Sequence, residues 1–290
     1  MSTLSWLHDP GLRAHAVGLT INLFLTIAKF VVGWIAASEA LTADGFNSAG
    51  DIFATAVGFA GYAYSKKPAD DDHHYGHGNA ESIAGLVIGT VLAATGIFIA
   101  IEGLLAWIAG KTEPPGSLAL WVAAITIVSK EALYRYAHAV GSRLRSPSLL
   151  ASARDHRGDV LVASTVFAGI FTARLGVPAL DPIAACGIGI YIAWFAIEPI
   201  RSNVGILMDQ APPDMKVRFE RVVLEDEDVR RVAQLRVHPV GARFVVDLEI
   251  HVDGALSLRE AHEIAHRVED RIQAGRDDID SVHVHVNPDP

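Results

Sequence analysis

The sequence predicts an α-helical membrane protein: six spanning helices followed by a small cytoplasmic domain with the element order αββαβ. Three observations predict it. The first two hundred of the 290 residues hold long apolar runs, whereas acidic and basic residues crowd after residue 210. The chain is 51% apolar and 20% charged, with a mean hydropathy of +0.30; that is too apolar for an average soluble chain and too charged for one lying wholly in a bilayer. Past the boundary the pattern changes from continuous apolar stretches to strand-like alternation and one amphipathic helix.

A spanning helix needs about 20 mostly apolar residues. Six stretches qualify: residues 17–37, 41–64, 83–109, 118–140, 160–175 (with a polar lead-in from Ser152) and 182–200. Ala37-Ser-Glu-Ala40 folds the first two into a tight hairpin. Lys111-Thr-Glu-Pro-Pro-Gly116 separates the third from the fourth, and the run from Arg174 to Asp181 separates the fifth from the sixth. The amino terminus, MSTLSWLHDPGLRAHA, lacks the basic-then-apolar pattern of a cleaved signal peptide, so the first apolar segment is expected to remain as a span. Basic residues in short loops set orientation. Lys66, Lys67, Arg143, Arg145, Arg154, Arg157 and Arg201 fall on one side, and only Lys111 and Arg174 on the other. With the richer side inside, both termini are cytoplasmic. A multi-pass protein of a bacterial inner (plasma) membrane is the expectation, divided as a six-helix transmembrane domain at 1–206, a linker at 207–213 and a cytoplasmic domain at 214–290.

In that last domain, Pro212-Pro-Asp214 opens a helix to about Leu224. Residues 232–238 and 244–252 alternate as strands around Pro239-Val-Gly-Ala242. Ser257 caps a helix running to Ala274, with Glu260 three residues on to complete a capping box. A strand at 281–286 closes a ferredoxin-like αββαβ order. Such a short domain buries a modest core, and dimerisation would enlarge it.

A formal net charge of −9 without a Lys/Arg cluster excludes nucleic acid as a partner. The single cysteine, Cys186, lies inside an apolar run, which excludes a disulfide framework and a thiolate metal cluster. No HExxH pairing occurs in the spans, which argues against an intramembrane hydrolase using a metal-bound water, and no catalytic cofactor is expected.

The chemistry gathers in two polar ladders set into apolar segments. Asp44, Asn47 and Asp51 recur at helical spacing on the second segment, and Asp155 and Asp159 do so on the fifth. Three aspartates at depth would together cost about 8–10 kcal/mol without compensation. A cation site or proton relay explains keeping them; an internal pair with Lys29 is the structural rival. Carboxylates and an amide carbonyl are hard ligands, better suited to Mn²⁺, Mg²⁺ or Ca²⁺ than to Cu⁺. His156 is a quarter-turn off the Asp155/Asp159 stripe and is expected to face the loop. Crowded carboxylates take up protons when the site is empty and release them to a metal, which is the chemistry of antiport.

After the second segment, Pro68-Ala-Asp-Asp-Asp-His-His-Tyr-Gly-His-Gly78 offers Asp70, His73 and His77 as a second cluster, against the alternative of a solvated acidic turn. In the tail, Glu249 and His251 share one strand face, as do His283 and His285, and His262 lies on the helix. These make the tail a candidate metal sensor.

Four runs resemble the cation diffusion facilitators over nearly the whole chain: Ala43-Asp-Gly-Phe-Asn-Ser-Ala-Gly-Asp51, Ser152-Ala-Arg-Asp-His-Arg-Gly-Asp159, the loop from Pro68 to Glu81, and Met208-Asp-Gln-Ala-Pro-Pro-Asp214. The resemblance implies a homodimeric metal/proton antiporter in a lipid bilayer that exports divalent metal, the metal being substrate and also regulator. It implies a transport site of Asn47, Asp51, Asp155 and Asp159, an interfacial site at Asp70, His73 and His77, and tail ligands Glu249, His262 and His285. Zinc-transporting members usually carry a histidine in a ladder; Asn, Asp, Asp, Asp resembles the manganese-exporting branch. Mn²⁺ is therefore expected first, with Fe²⁺, Zn²⁺ and Co²⁺ open. Some zinc members place a lysine after the loop His-Gly, paired with the linker aspartate; here that position is Asn79, so Asp209 lacks that partner. The alternative is a membrane-anchored metal sensor without transport.

Overall fold

The computed structural model describes residues 10–110, 113–144 and 147–289. Residues 1–9 of the amino-terminal stretch, and Lys111 and Arg145 of the orientation argument, lie outside the described residues. The elements are α1 (Pro10–Ile35), α2 (Glu39–Ser65), α3 (Ala80–Ile108), α4 (Ser117–Leu144), α5 (Pro147–Arg174), α6 (Leu180–Phe195), α7 (Ile197–Leu207), α8 (Pro213–Val223), β1 (Arg231–Val240), β2 (Arg243–Asp253), α9 (Leu258–Ala274) and β3 (Ile279–Asp289).

Among the described residues, four helical stretches are long and apolar enough to cross a membrane: Arg13–Ile35, Ala80–Ile108, Ser117–Leu144 and Leu180–Leu207. Six were expected. The two that fall short, α2 and α5, have 27 and 28 residues and match the others in length. They carry the ladders, and Asp and Asn lower their hydropathy. The sixth expected span is a helix interrupted at Ala196. Pro199 follows three residues on and has no N–H for the Phe195 carbonyl.

The chain divides into two compact units, one built of the residues through Ala56 with Gly89–Ile197, the other of Val57–Ile88 with Glu198–Pro290. In the first, α4 lies along α5, with α1 packed on α4 and α6 on α5. Its core is made of small and branched residues, among them Leu41 and Ala43 of α2, Ala119 and Ala123 of α4, Val166 and Ile170 of α5, and Ile188 of α6. Lipid offers no hydrophobic drive for helix association, so close backbone approach has to supply it. Gly96 and Gly189 provide such an approach. A Cβ on Gly96 would lie 2.4 Å from the Ala193 nitrogen, and one on Gly189 would lie 2.4 Å from the Ala100 nitrogen. Cys186 is part of the same contact: a Cβ on Gly103 would meet its backbone nitrogen at 2.7 Å.

The start of α2 is pinned from α6. Fully buried Asp181 accepts hydrogen bonds from Ser38 Oγ and from the Glu39 N–H, both at 2.7 Å. Ser38 Oγ in turn accepts from the Leu41 N–H at 3.1 Å. A carboxylate at a helix N-terminus satisfies otherwise unpaired N–H groups and meets the positive end of the helix dipole.

In the second unit the three strands run in the order β1-β2-β3, with β1/β2 antiparallel and β2/β3 parallel. Gly241, at φ +64°, turns the β1–β2 hairpin. Ser257 caps α9 in the expected capping box with Glu260. One sheet face packs Leu235, Val246, Leu248, Ile250 and Val282 against Met215 and Phe219 of α8 and Ile264, Val268 and Ile272 of α9. By the period-two rule the opposite face carries Asp247, Glu249, His283 and His285. The αββαβ order stands as expected.

Candidate metal centre

The two ladders meet. Asn47 and Asp51 of α2 and Asp155 and Asp159 of α5 line one cavity of about 240 Å³, walled by Leu92, Val162 and Ile192. Helical spacing aims each pair at the same side, and the continuous helix through residues 152–159 extends the α5 stripe well ahead of its apolar run.

Two lysines share this interior. Lys130 of α4 donates from Nζ to Asp159 Oδ2 at 2.5 Å; it is 1% exposed and Asp159 is 13% exposed. Lys29 of α1 forms an ion pair with Asp44 Oδ2 at 2.8 Å, both essentially buried, and donates to Ser48 Oγ at 2.9 Å. Asp44, one turn before Asn47, is thus turned to α1 and leaves the cavity set. The internal Asp–Lys pair weighed as a rival describes Asp44 with Lys29 and, with Lys130, also Asp159; it does not describe Asp51. Lys130 was missed by sequence reasoning, which named only Lys29 of the first segment as a compensating charge. Its signal was a lysine in the apolar face of the fourth span.

His156 corrects another expectation. It is buried, not facing the loop, with Nδ1 3.9 Å from Asp159 Oδ2 and without a hydrogen-bond partner. Because α5 begins at Pro147, His156 lies more than two turns inside a helix and packs toward Gly18 of α1, where a Cβ would lie 3.6 Å from Nε2.

In the second unit, Asp70, His73 and His77 each bring a ligand atom within 4.8 Å of the others, the one such group of three found among the described residues. Asp70 Oδ1 accepts from the His73 and Asp72 N–H groups at 2.8 and 3.1 Å, an Asx turn that folds the loop on itself. Hydrogen bonding from the His73 side chain holds the Asp70 carboxyl below its ordinary value. His77 Nδ1 is 3.2 Å from the Pro68 carbonyl, which can only accept, so that nitrogen carries the proton. Nε2 faces Asp70 Oδ2 at 3.4 Å.

The tail residues separate. Glu249 and His285 are register partners on the open face of the sheet. His262 is on α9, which packs against the opposite face, so within one chain it does not join them. It instead meets His266, Nε2 to Nε2 at 3.0 Å, while His266 Nδ1 is 3.0 Å from Glu269. His266 was not singled out, although its spacing of four from His262 on a helix was the available signal. Asp209, opposite which no lysine was expected because that position is Asn79, has His238 Nδ1 at 3.5 Å. Asn79 Oδ1 accepts from the Gly241 N–H at 2.8 Å.

Residues 16–208 match the cation efflux transmembrane domain, and residues 211–289 match the cation efflux protein cytoplasmic domain. The manganese efflux system protein MneP of Bacillus subtilis is 32% identical over 280 residues, covering 94% of each chain. MneS of the same organism is 30% identical, covering 94% of this chain and 93% of its own. The magnetosome protein MamB of a Magnetospira species is 33% identical with 92% of each covered. Of solved structures, a MamM CTD in a cadmium form is similar at 26% identity and a TM-score of 0.26, covering 27% of this chain and 98% of its own. With both its transmembrane and its cytoplasmic parts matched in order, the chain belongs to the cation efflux family, a family of metal transporters.

Proposed function

We propose that this protein exports Mn²⁺ from the cytoplasm in exchange for protons, accepting Fe²⁺, Zn²⁺ and Co²⁺ less well. The observation that carries the reading is the convergence of Asn47, Asp51, Asp155 and Asp159 on one cavity. Three carboxylates and an amide oxygen are hard ligands without sulfur, and hard ligands suit Mn²⁺. Two relatives at 30% identity or more are named as manganese efflux proteins, which supports the same cargo. Protons arriving from outside would neutralise the carboxylates and expel the metal.

In this reading α2 and α5 also span the bilayer, making six spans with α6 and α7 as one, and both termini are cytoplasmic in a bacterial plasma membrane. The transport domain ends near residue 206, and the tail from 214 joins two copies into a homodimer. The loop group Asp70, His73 and His77 binds metal as a second site, a reading supported by ligand atoms that all lie within 4.8 Å of one another. In the tail, Glu249 and His285 supply one carboxylate–imidazole pair, and further ligands would come from a second copy.

The test is metal-driven proton flux in proteoliposomes holding a pH dye. Mn²⁺ should outpace Zn²⁺, and Asp51→Ala or Asp159→Ala should abolish flux while the dimer stays folded. Full flux in either variant would sink the site assignment.

A further inference from the structure

We propose that Lys130 is a tethered counter-cation that competes with the transported metal for Asp159. The inference rests on the site reading above and adds a residue to it. Asp159 lines the cavity with Asn47, Asp51 and Asp155, yet its Oδ2 is held by the Lys130 ammonium at 2.5 Å. A metal bound to the other oxygen of the same carboxylate would sit a few ångströms from that ammonium, and like charges repel strongly where water is scarce. Filling the site therefore requires Lys130 to withdraw.

The two buried lysines differ in what withdrawal would cost. Lys29 has its own carboxylate, Asp44, outside the cavity set, together with Ser48 Oγ, so it stays neutralised when the cavity fills. Lys130, 1% exposed, donates to a carboxylate that the metal also needs. An ammonium left buried without its partner is unfavourable. That cost falls on the loaded state and limits how tightly the cargo is held, which is what an exporter needs in order to release it. Lys130 is a positioning and affinity-setting residue of the cargo site, fixed on α4 while the ligands come from α2 and α5.

The experiment is Mn²⁺ binding to the full-length protein in nanodiscs, by calorimetry, with Asp70→Ala and Glu249→Ala in every sample to silence the loop and tail sites. Lys130→Met removes the competitor at similar length and should tighten Mn²⁺ binding by about tenfold. Lys130→Arg replaces it with a guanidinium that grips a carboxylate through two donors, and should weaken binding several-fold. A purely structural lysine would not move affinity in opposite directions, and a lysine that orients Asp159 for the metal would give weaker binding in Lys130→Met. Either unchanged or weaker binding in Lys130→Met overturns the proposal. Should that variant fail to fold, Lys130→Arg decides alone: weaker binding supports the proposal, and unchanged or tighter binding overturns it. Asp51→Ala is measured in parallel. Binding that survives it shows that the cavity is not the cargo site, a failure of the underlying reading distinct from failure of the lysine.

Discussion

Asn79 accepts a hydrogen bond through Oδ1 from the Gly241 N–H at 2.8 Å, across 162 residues of sequence. Gly78 lies so close to the hairpin that a Cβ on it would be 2.7 Å from the Val240 carbonyl oxygen. At the position where a lysine would pair with the linker aspartate, this chain has an amide that ties the histidine loop to the β1–β2 turn. Asp209 is answered by His238 on β1. Asn79→Ala leaves the Gly241 N–H without its acceptor and should cost about 1 kcal/mol. The expected result is faster proteolysis and hydrogen exchange in residues 66–78, with the sheet core unaffected; unchanged loop exchange would show that the bond holds nothing in place.

The turn into α2 depends on Asp181. Asp181→Asn keeps one acceptor and loses the charge that bonds both Ser38 and the Glu39 N–H, a loss of about 1.5–3 kcal/mol for bonds to a charged group. Because this turn sets where the α2 ladder begins, the variant should melt several degrees lower in detergent and also bind Mn²⁺ less tightly. A lower melting temperature with unaltered binding would confine Asp181 to stability.

Helices α3 and α6 touch backbone to backbone at Gly96 and Gly189. Neither position has room for a side chain without moving a helix. Gly96→Leu should destabilise the protein by about 1–3 kcal/mol or more through overpacking, read as loss of the folded peak on size exclusion or a clear fall in melting temperature. Gly187→Ala is the control, since a Cβ there meets nothing within 4 Å; it should be neutral.

In the tail, buried Asp226 accepts a bidentate pair of hydrogen bonds from Arg267, each at 3.1 Å, with Arg271 at 3.4 Å. Hydrogen bonding from Arg267 holds the Asp226 carboxyl below its ordinary value. A carboxylate depressed in the folded state stabilises it above the unfolded value of about 3.9, and the stabilisation is lost as pH falls through the folded value. Melting of the wild type should therefore drop as pH is lowered from about 5 toward 3. Asp226→Asn should melt lower at neutral pH and show a shallower acid dependence; an equal slope in both would move the acid sensitivity to other carboxylates.

Much of this protein was legible in its residues because the signals were local. Apolar runs of spanning length, the Ser257/Glu260 capping box, strand alternation and the four-residue spacing of Asn47/Asp51 and Asp155/Asp159 depend on helical and strand periods, which sequence states directly. The same period put Asn47 with Asp51, and Asp155 with Asp159, each on one face of its own helix. What only the tertiary structure decided was pairing across elements. Asp44 belongs to Lys29 and Asp159 is held by Lys130, because α1 and α4 bring ammonium groups into an interior where an unpaired charge is costly. His156 is buried because α5 begins earlier than its apolar run. Glu249 and His285 are register partners on one sheet face while His262 lies on the other side, since a sheet has two faces and α9 covers the other one. Periodicity assigns a residue to a face of its own element; which neighbour that face meets depends on how distant segments pack, and that is set by the fold as a whole.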